Sequence, residues 1–399
     1  MRVAKRALVQ PFTVMEIIAA ANARRAAGHR VLNLCMGEPS AGTPAVVRQR
    51  AAELLDTHPL GYTEAVGLPR LRAELAGHYR RWYDLEVDPA RVAVTTGSSG
   101  AFLLAFLAAF EPGDRVLLAR PGYPAYRNIL TALGCEVVEL DCGPAQHYRP
   151  TVEQLEALDR PVAGLVLAGP ANPTGTIVDP ATLTAVAQWC VEHDVRLISD
   201  EIYHGITYPQ TTAAAGGPVA GGPAGAPTAA GWCDRGAVVV SSFSKFWAMT
   251  GWRLGWLVLP AHLVAAVDAL AGNLALCPPA LAQHAALAAF SDAAYAEARA
   301  NVAEYAGSRR LVLDRLDDLG WARVAPAEGA FYVYADISPT GLDSATWCAR
   351  LLAEAGVAMT PGIDFDRVAG RHWVRLSFAA GPQVVAEALD RTVAWQRGL

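Results

Sequence analysis

Short apolar, β-branched segments alternate with longer amphipathic segments through the middle of the chain. The apolar segments predict strands at Val92–Thr95, Arg115–Ala119, Glu136–Leu140, Ala163–Leu167, Arg196–Ser199, Ala237–Ser241 and Leu254–Leu259. The amphipathic segments predict helices at Ser99–Phe110, Ala125–Leu133, Pro180–His193 and Ala261–Ala271. Because strands that alternate with helices are typical of α/β proteins, we predict a large domain with a mainly parallel seven-stranded sheet flanked by helices.

The two ends of the chain predict a smaller α+β domain. A helix is expected at Met15–Ala27, and the strands Ala330–Asp336 and Trp373–Phe378 flank a helix near Ala345–Ala355. The segment Gln210–Gly231 contains no charged residue and is rich in Ala, Gly, Pro and Thr, which predicts a flexible surface insertion. The predicted division is an N-terminal arm and part of the small domain at 1–40, the large domain at 41–275 and the small C-terminal domain at 276–399.

Composition narrows the class of protein. A chain of 399 residues that is 53% hydrophobic and 18% charged can build a large core, which excludes disordered and collagen-like classes. A net charge of −5 predicts no attraction to nucleic acid or anionic lipid. The longest apolar run, Ala101–Phe110, is shorter than the roughly 20 residues of a membrane-spanning helix. The seven cysteines are scattered singly, so we predict a cytoplasmic protein with reduced thiols and no metal site.

Lysine is almost absent from the chain. Of its 33 basic residues only Lys5 and Lys245 are lysines. Lysine can become a nucleophilic amine, whereas arginine keeps its proton, so Lys245 is a candidate for amine chemistry. The segment Ser242-Phe-Ser-Lys245 also matches the S-x-x-K motif of penicillin-recognising serine hydrolases. Those enzymes need a further Lys-Thr-Gly strand, and the chain has no third lysine to supply it.

Other polar residues follow the predicted strands, at the edge where α/β sheets bind their ligands. A lysine amine can form a Schiff base with pyridoxal phosphate, whose site needs a phosphate cradle, a carboxylate for the ring nitrogen and donors for the ring oxygen. The candidates are Gly97, Ser98, Ser99, Ser242 and Arg253 for the phosphate, Asp200 for the nitrogen, and Asn172 and Tyr203 for the oxygen. Arg375 is the candidate for holding a substrate carboxylate with two hydrogen bonds.

Short motifs cover nearly the whole chain in series: Asn33-Leu-Cys-Met-Gly37-Glu-Pro, Gly61-Tyr62-Thr63, Thr96-Gly97-Ser98-Ser99, Asn172-Pro-Thr-Gly, Asp200-Glu-Ile-Tyr203, Ser242-Phe-Ser-Lys245, Met249-Thr-Gly-Trp-Arg253-Leu-Gly, Glu328-Gly-Ala-Phe-Tyr and Val374-Arg375-Leu-Ser-Phe. In this order the chain resembles the class I and II aminotransferases, the aspartate-aminotransferase-like enzymes of fold type I. The resemblance implies pyridoxal 5'-phosphate as the cofactor.

The resemblance also implies roles for single residues at the cofactor. Lys245 would be the Schiff-base lysine and the proton shuttle, and Asp200 the partner of the pyridine nitrogen. The resemblance also implies that Tyr203 is catalytic, together with Lys245 and Asp200, and that it contacts the ring hydroxyl. Tyr123 would stack on the cofactor ring. Ser244, beside Lys245, would support either the phosphate or only the turn.

For the substrate, the resemblance implies Gly37, Asn172 and Arg375 at the carboxylate. Tyr62 matches the tyrosine that reaches the phosphate in the neighbouring subunit, which implies a homodimer with shared active sites. Dicarboxylate-specific members carry an arginine in the segment that matches Ala271–Gln283, and this segment has no cation here. It offers instead the apolar residues Leu274, Leu276 and Pro278.

The expected activity is transfer of an amino group between an amino acid, neutral or aromatic, and a 2-oxo acid. The alternative is another pyridoxal phosphate reaction on the same fold, namely that of a C–S lyase, a cyclase or a decarboxylating member.

Overall fold

The computed structural model describes residues 2–208 and 224–399. In these ranges the α-helices are α1 (Thr13–Ala26), α2 (Ala45–Thr57), α3 (Pro69–Tyr83), α4 (Gly97–Ala109), α5 (Pro124–Leu133), α6 (Val152–Glu156), α7 (Pro180–Glu192), α8 (Ala261–Ala275), α9 (Ala280–Ala286), α10 (Asp292–Leu313), α11 (Leu316–Leu319), α12 (Ser344–Arg350) and α13 (Pro382–Gln396). The strands are β1 (Leu32–Asn33), β2 (Val92–Thr95), β3 (Arg115–Arg120), β4 (Glu136–Asp141), β5 (Gly164–Ala168), β6 (Arg196–Asp200), β7 (Val238–Ser242), β8 (Gly255–Val258), β9 (Arg323–Val324), β10 (Tyr332–Asp336), β11 (Val357–Ala358), β12 (Thr360–Pro361) and β13 (Trp373–Ser377).

The large sheet of the described residues has seven strands in the order β2-β8-β7-β6-β5-β3-β4. Neighbouring strands are parallel except at β8, which is antiparallel to both β2 and β7. Helices pack on this sheet, with α4 in contact with β7 and β8. The predicted α/β fold with a mainly parallel seven-stranded sheet is confirmed.

Burial explains why the central strands are nearly continuous apolar runs. Each residue of β7 is buried, and β5 is buried from Gly164 to Leu167. A strand covered by helices on both faces has no solvent side that would need polar residues. Polar side chains therefore appear where strands end, at Asp200 on β6 and Ser242 on β7, and α4 begins at Gly97 directly after β2.

The smaller antiparallel sheet has the order β12-β13-β10-β9. Its register places Arg375 on β13 opposite Tyr334 on β10. Near the start of the chain, β1 pairs in parallel with β11, with Leu32 opposite Val357. This pairing joins the segment after α1 to the C-terminal part of the chain.

The structure differs from the sequence prediction in the Gly- and Ala-rich segment. Residues 210–223 of the predicted insertion lie outside the described residues. The rest of it is packed: Ala224 and Ala229 are fully buried, and the Ala229 amide donates to the buried Glu201 carboxylate at 2.7 Å. A low-complexity composition does not prevent packing, because small side chains fit where two backbones approach closely.

Two further differences concern helices. The helix predicted near Ala345–Ala355 is α12 followed by a π-helical turn at Leu351–Ala355. Helices α2 and α3 were not predicted, although α3 buries Leu71, Leu75 and Tyr79 at helical spacing. Within residues 2–208 and 224–399, every helix is too short or too polar to cross a lipid bilayer.

Candidate active site

A cavity of about 400 Å³ opens at the carboxyl edge of the large sheet and is lined also by β10 and β13 of the smaller sheet. The sequence-predicted residues that line it are Gly37, Ser98, Ser99, Tyr123, Asn172, Asp200, Tyr203, Ser244, Lys245, Arg253 and Arg375. The fold thus brings together residues that are up to 338 positions apart, from Gly37 to Arg375. Gly97, Ser242 and Tyr62 are not part of this lining.

Lys245 follows β7 and reaches across to the N-terminal segment. Its Nζ donates a hydrogen bond to the Gly37 carbonyl at 2.6 Å. Burial, together with the positive charges of Arg375 and Arg253, lowers the pKa of Lys245 to about 8. A Cβ on Gly37 would lie 1.8 Å from the Tyr332 hydroxyl, so only glycine fits there. Because its pKa is lowered to about 8, the Lys245 amine can exchange a proton near neutral pH.

Asp200 ends β6 with its carboxylate buried and, among the described residues, paired with no basic side chain. The Tyr126 hydroxyl donates to its Oδ2, and the Ile202 amide donates to Oδ1 at 3.1 Å. Burial raises the pKa of Asp200 to about 6 despite these hydrogen bonds. A buried carboxylate without a cation is suited to face a protonated heterocyclic nitrogen.

Tyr126 was not predicted as a site residue. It lies one helical turn after Tyr123 at the start of α5, and the two rings contact edge to face with centroids 5.3 Å apart. Residues three apart on a helix share a face. That spacing was the available signal, because Tyr123 was already placed at the site.

Another group of lining residues can hold an anion. Ser98 and Ser99 lie in the first turn of α4, where unpaired amides and the helix dipole favour negative charge. Arg253 is held by a hydrogen bond from Nη1 to the Thr250 carbonyl at 2.8 Å and pairs with no carboxylate among the described residues. Gly97 has φ +69°, and a Cβ there would lie 2.4 Å from Arg253 Nη2. A phosphate fits this set of donors.

Ser242, which was predicted at the phosphate, does not line the cavity itself. It is buried behind Ser244, and the two Oγ atoms are 2.7 Å apart. Ser242 Oγ also accepts from the Ser244 amide at 3.0 Å and lies 3.0 Å from the Leu254 carbonyl. The last side chain of β7 faces the neighbouring chain segment, so Ser244 reaches the cavity and Ser242 positions it.

Arg375 carries a buried charge with free donors. Its Nη1 donates to Asn172 Oδ1 at 2.8 Å, and its Nη2 to the Cys35 carbonyl at 2.6 Å. Its Nε is buried without a hydrogen-bond partner, and among the described residues no carboxylate pairs with the guanidinium. An unpaired buried charge is costly, which indicates that a bound carboxylate completes the site.

Tyr332 is a second residue that the sequence analysis did not place. Its hydroxyl lies 2.7 Å from the Tyr203 hydroxyl, and the Arg375 guanidinium lies 4.4 Å from its ring centroid. It links a residue expected at the cofactor with one expected at the substrate. Its place at the end of the Glu328-Gly-Ala-Phe-Tyr motif was the available signal.

One wall of the cavity comes from the start of α1, which was predicted as a helix but not as part of the site. Its apolar lining residues are Phe12, Val14, Met15 and Ile18. The Asp364 carboxylate accepts hydrogen bonds from the Thr13 and Val14 amides, each at 2.8 Å. These hydrogen bonds hold the start of α1 beside the cavity.

Tyr62, for which the resemblance implies a role in the neighbouring subunit, lies on the surface of this chain, as do Leu274 and Leu276 of the Ala271–Gln283 segment. Tyr62 is 85% exposed, Leu274 is 55% exposed and Leu276 is 51% exposed. The Gln283 side chain donates to Thr63 Oγ1 at 2.9 Å, so the Tyr62 loop and the segment after α8 are joined.

Comparison with known proteins agrees with this geometry. The family model for aminotransferase class I and II matches residues 29–391. A valine–pyruvate aminotransferase of Mycobacterium tuberculosis is 52% identical over 398 residues, which cover 99% of this chain and 98% of that relative. A crystal structure of an aminotransferase from Mycobacterium tuberculosis is 51% identical, with a TM-score of 0.94 and full coverage of both chains. Aspartate aminotransferase from Thermus thermophilus with maleate is 32% identical, with a TM-score of 0.88 and full coverage of both chains.

Enzymes of this family generally depend on pyridoxal phosphate and act on amino acids and 2-oxo acids. The chain is therefore an aminotransferase that belongs to class I and II.

Proposed function

We propose that the protein is a pyridoxal 5'-phosphate-dependent aminotransferase that moves an amino group between a neutral amino acid, aliphatic or aromatic, and a 2-oxo acid such as pyruvate. One observation carries the proposal. The cavity offers Arg375 as an unpaired cation for one carboxylate, while the wall formed by α1 is apolar. The name of the valine–pyruvate relative supports the same substrate class.

The residues present fit the cofactor. Ser98, Ser99, Ser244 and Arg253 supply hydroxyl groups, helix amides and a cation for the phosphate. Asp200 would hold the ring nitrogen in its protonated form. Asn172 and Tyr203 would contact the ring hydroxyl. When bound, the cofactor supplies an aldehyde for covalent attachment and an electron-withdrawing ring that stabilises negative charge at the substrate Cα.

Lys245 moves the proton in this proposal. With its pKa lowered to about 8, Nζ is partly neutral at pH 7 to 8 and can take a proton from the substrate Cα and return it. The Gly37 carbonyl at 2.6 Å holds the amine in place. Arg375 fixes the substrate carboxylate, which orients the Cα hydrogen toward the amine.

The preference for neutral side chains follows from the charges at the cavity. Among its described lining residues the basic side chains are Lys245, Arg253 and Arg375, each already assigned to another part of the reaction. The cavity lining also includes the acids Glu38 and Asp364, of which Asp364 lies at the start of α1. A second substrate carboxylate would lose its hydration and meet negative charge, which is unfavourable.

We propose further that the active enzyme is a homodimer in which Tyr62 reaches the phosphate of the partner's site. The support is the exposure of Tyr62, Leu274 and Leu276 on one joined surface region. Aromatic and aliphatic groups exposed together are typical of an interface. Light scattering should give twice the chain mass, and Tyr62→Phe should weaken cofactor affinity without dissociating the dimer.

The substrate proposal is tested by kcat/KM for valine, alanine, methionine, phenylalanine and aspartate, each with pyruvate and with 2-oxoglutarate. We expect each neutral donor to exceed aspartate by about tenfold or more, equivalent to about 1.4 kcal/mol. Half-reaction spectra with each donor alone confirm that amino transfer, rather than elimination, is being measured. A preference for aspartate would overturn the proposed substrate class and leave the family assignment unchanged.

A further inference from the structure

A second cavity, of about 320 Å³, lies directly beside the active-site cavity. Phe12, Pro124 and Asp364 line both cavities and so form the wall between them. Phe12 caps the start of α1, and the helix is fastened there through its Thr13 and Val14 amides. These backbone contacts hold the start of α1, and with it the Phe12 backbone, beside both cavities.

The second cavity has arginines in its lining, whereas the α1 wall of the active-site cavity is apolar. These arginines are Arg127 from α5 and Arg367 from the loop after β12. Arg127 forms an ion pair with Glu139 through Nη1 at 3.0 Å, and its Nη2 donates to the Asp364 carbonyl at 3.4 Å, while its Nε is buried without a partner. Arg367 is exposed at the mouth of this cavity and pairs with no carboxylate among the described residues. Burial and the nearby charge of Arg127 lower the pKa of Arg367.

Among the described residues that line this second cavity, the only carboxylate is that of Asp364. Both of its oxygens accept backbone amides at 2.8 Å, and among the described residues it forms no ion pair with either arginine. Two neighbouring guanidinium groups with donors left over are a favourable environment for a carboxylate. The second cavity therefore offers two cations for a side-chain carboxylate. In the active-site cavity each basic side chain is already assigned to another part of the reaction.

We propose that Phe12 determines side-chain specificity by closing the active-site cavity off from this basic cavity, and that Arg127 and Arg367 form a carboxylate subsite that opens when the Phe12 ring is removed. The inference rests on the proposed function, since it assumes that the substrate side chain points toward α1. The wild-type enzyme excludes dicarboxylates because the ring stands between their second carboxylate and the two arginines.

The test compares glutamate with glutamine, which has nearly the same shape without the second charge. The ratio of their kcat/KM values is measured for wild type, Phe12→Ala and the double variant Phe12→Ala/Arg367→Gln. Phe12→Ala should raise the glutamate-to-glutamine ratio by about tenfold or more, and the double variant should lose that gain. Phe12→Ala/Arg371→Gln is the matched control, because Arg371 lies nearby on the chain but does not line the cavity.

The control variant Phe12→Ala/Arg371→Gln should keep the raised glutamate-to-glutamine ratio. Phe12→Val serves as a milder variant should Phe12→Ala not fold. An unchanged ratio in both folded Phe12 variants overturns the inference, as does a gain that survives Arg367→Gln. Failure of the proposed function has a different signature, since it would appear in wild type as a preference for aspartate over valine.

Discussion

Replacing Asp200 with asparagine should have opposite effects on the cofactor-free and the cofactor-bound protein. In the free chain the buried carboxylate has no basic partner among the described residues, and burial raises its pKa from 3.8 to about 6. A carboxyl group whose pKa is higher in the folded than in the unfolded state destabilises the fold once the unfolded form ionises. The loss begins near pH 4 and is complete above pH 6.

The magnitude follows from those two pKa values. The carboxylate costs the free protein about 3 kcal/mol at pH 8 and about 1.5 kcal/mol at pH 5. Asparagine carries no charge. Its Oδ1 can accept from the Ile202 amide, and its Nδ2 can donate to the Tyr126 hydroxyl, which then acts as the acceptor. The cofactor-free Asp200→Asn variant should therefore be more stable than wild type, and its advantage should shrink as the pH falls from 8 to 5.

In the cofactor-bound enzyme the same substitution should be harmful, because it should slow the reaction. Removing one partner of a buried ion pair costs about 3 to 5 kcal/mol, which corresponds to a loss of about 10²- to 10⁴-fold in the rate of Cα deprotonation. Denaturant unfolding of the cofactor-free protein at pH 5 and pH 8 measures the first effect, and half-reaction kinetics of the loaded enzyme measure the second. A variant that is less stable at both pH values, or that reacts within threefold of wild type, refutes the reasoning.

Other substitutions test other parts of the site. Borohydride reduction followed by peptide mapping should recover the cofactor on Lys245 and none on Lys5, and Lys245→Arg should bind cofactor without turning over, because a guanidinium does not release its proton. Arg375→Lys should raise KM by about ten- to a hundredfold through loss of the paired hydrogen bonds, with little change in the thermal midpoint; a fall in stability without a change in KM would contradict the assignment. Tyr126→Phe removes a donor that lowers the pKa of Asp200, so the acid limb of the pH–rate profile should move to higher pH, and an unmoved limb would count against this link.

Much of the fold could be predicted from the sequence because the signals are local. The strand predicted at Arg196–Ser199 is observed as Arg196–Asp200, and the one at Val92–Thr95 has the predicted bounds. Burial on both faces of the central sheet leaves a continuous apolar run, which is readable along the chain. Because the interior of each central strand is apolar, the polar residues that end an apolar run mark the edge of the sheet where ligands bind. Lys245 was singled out by composition alone, as one of two lysines.

Only the tertiary structure decided how these residues meet. The bond from Tyr126 to Asp200 depends on how α5 packs across the end of β6, and the bond from Arg375 to Asn172 joins residues 203 positions apart. Neither hydrogen bond leaves a periodic signal in the sequence, because contacts between distant segments depend on how whole helices and sheets are oriented. The same is true of Phe12: the sequence predicted a helix nearby, but only packing placed this residue between the active-site cavity and a cavity lined by two arginines.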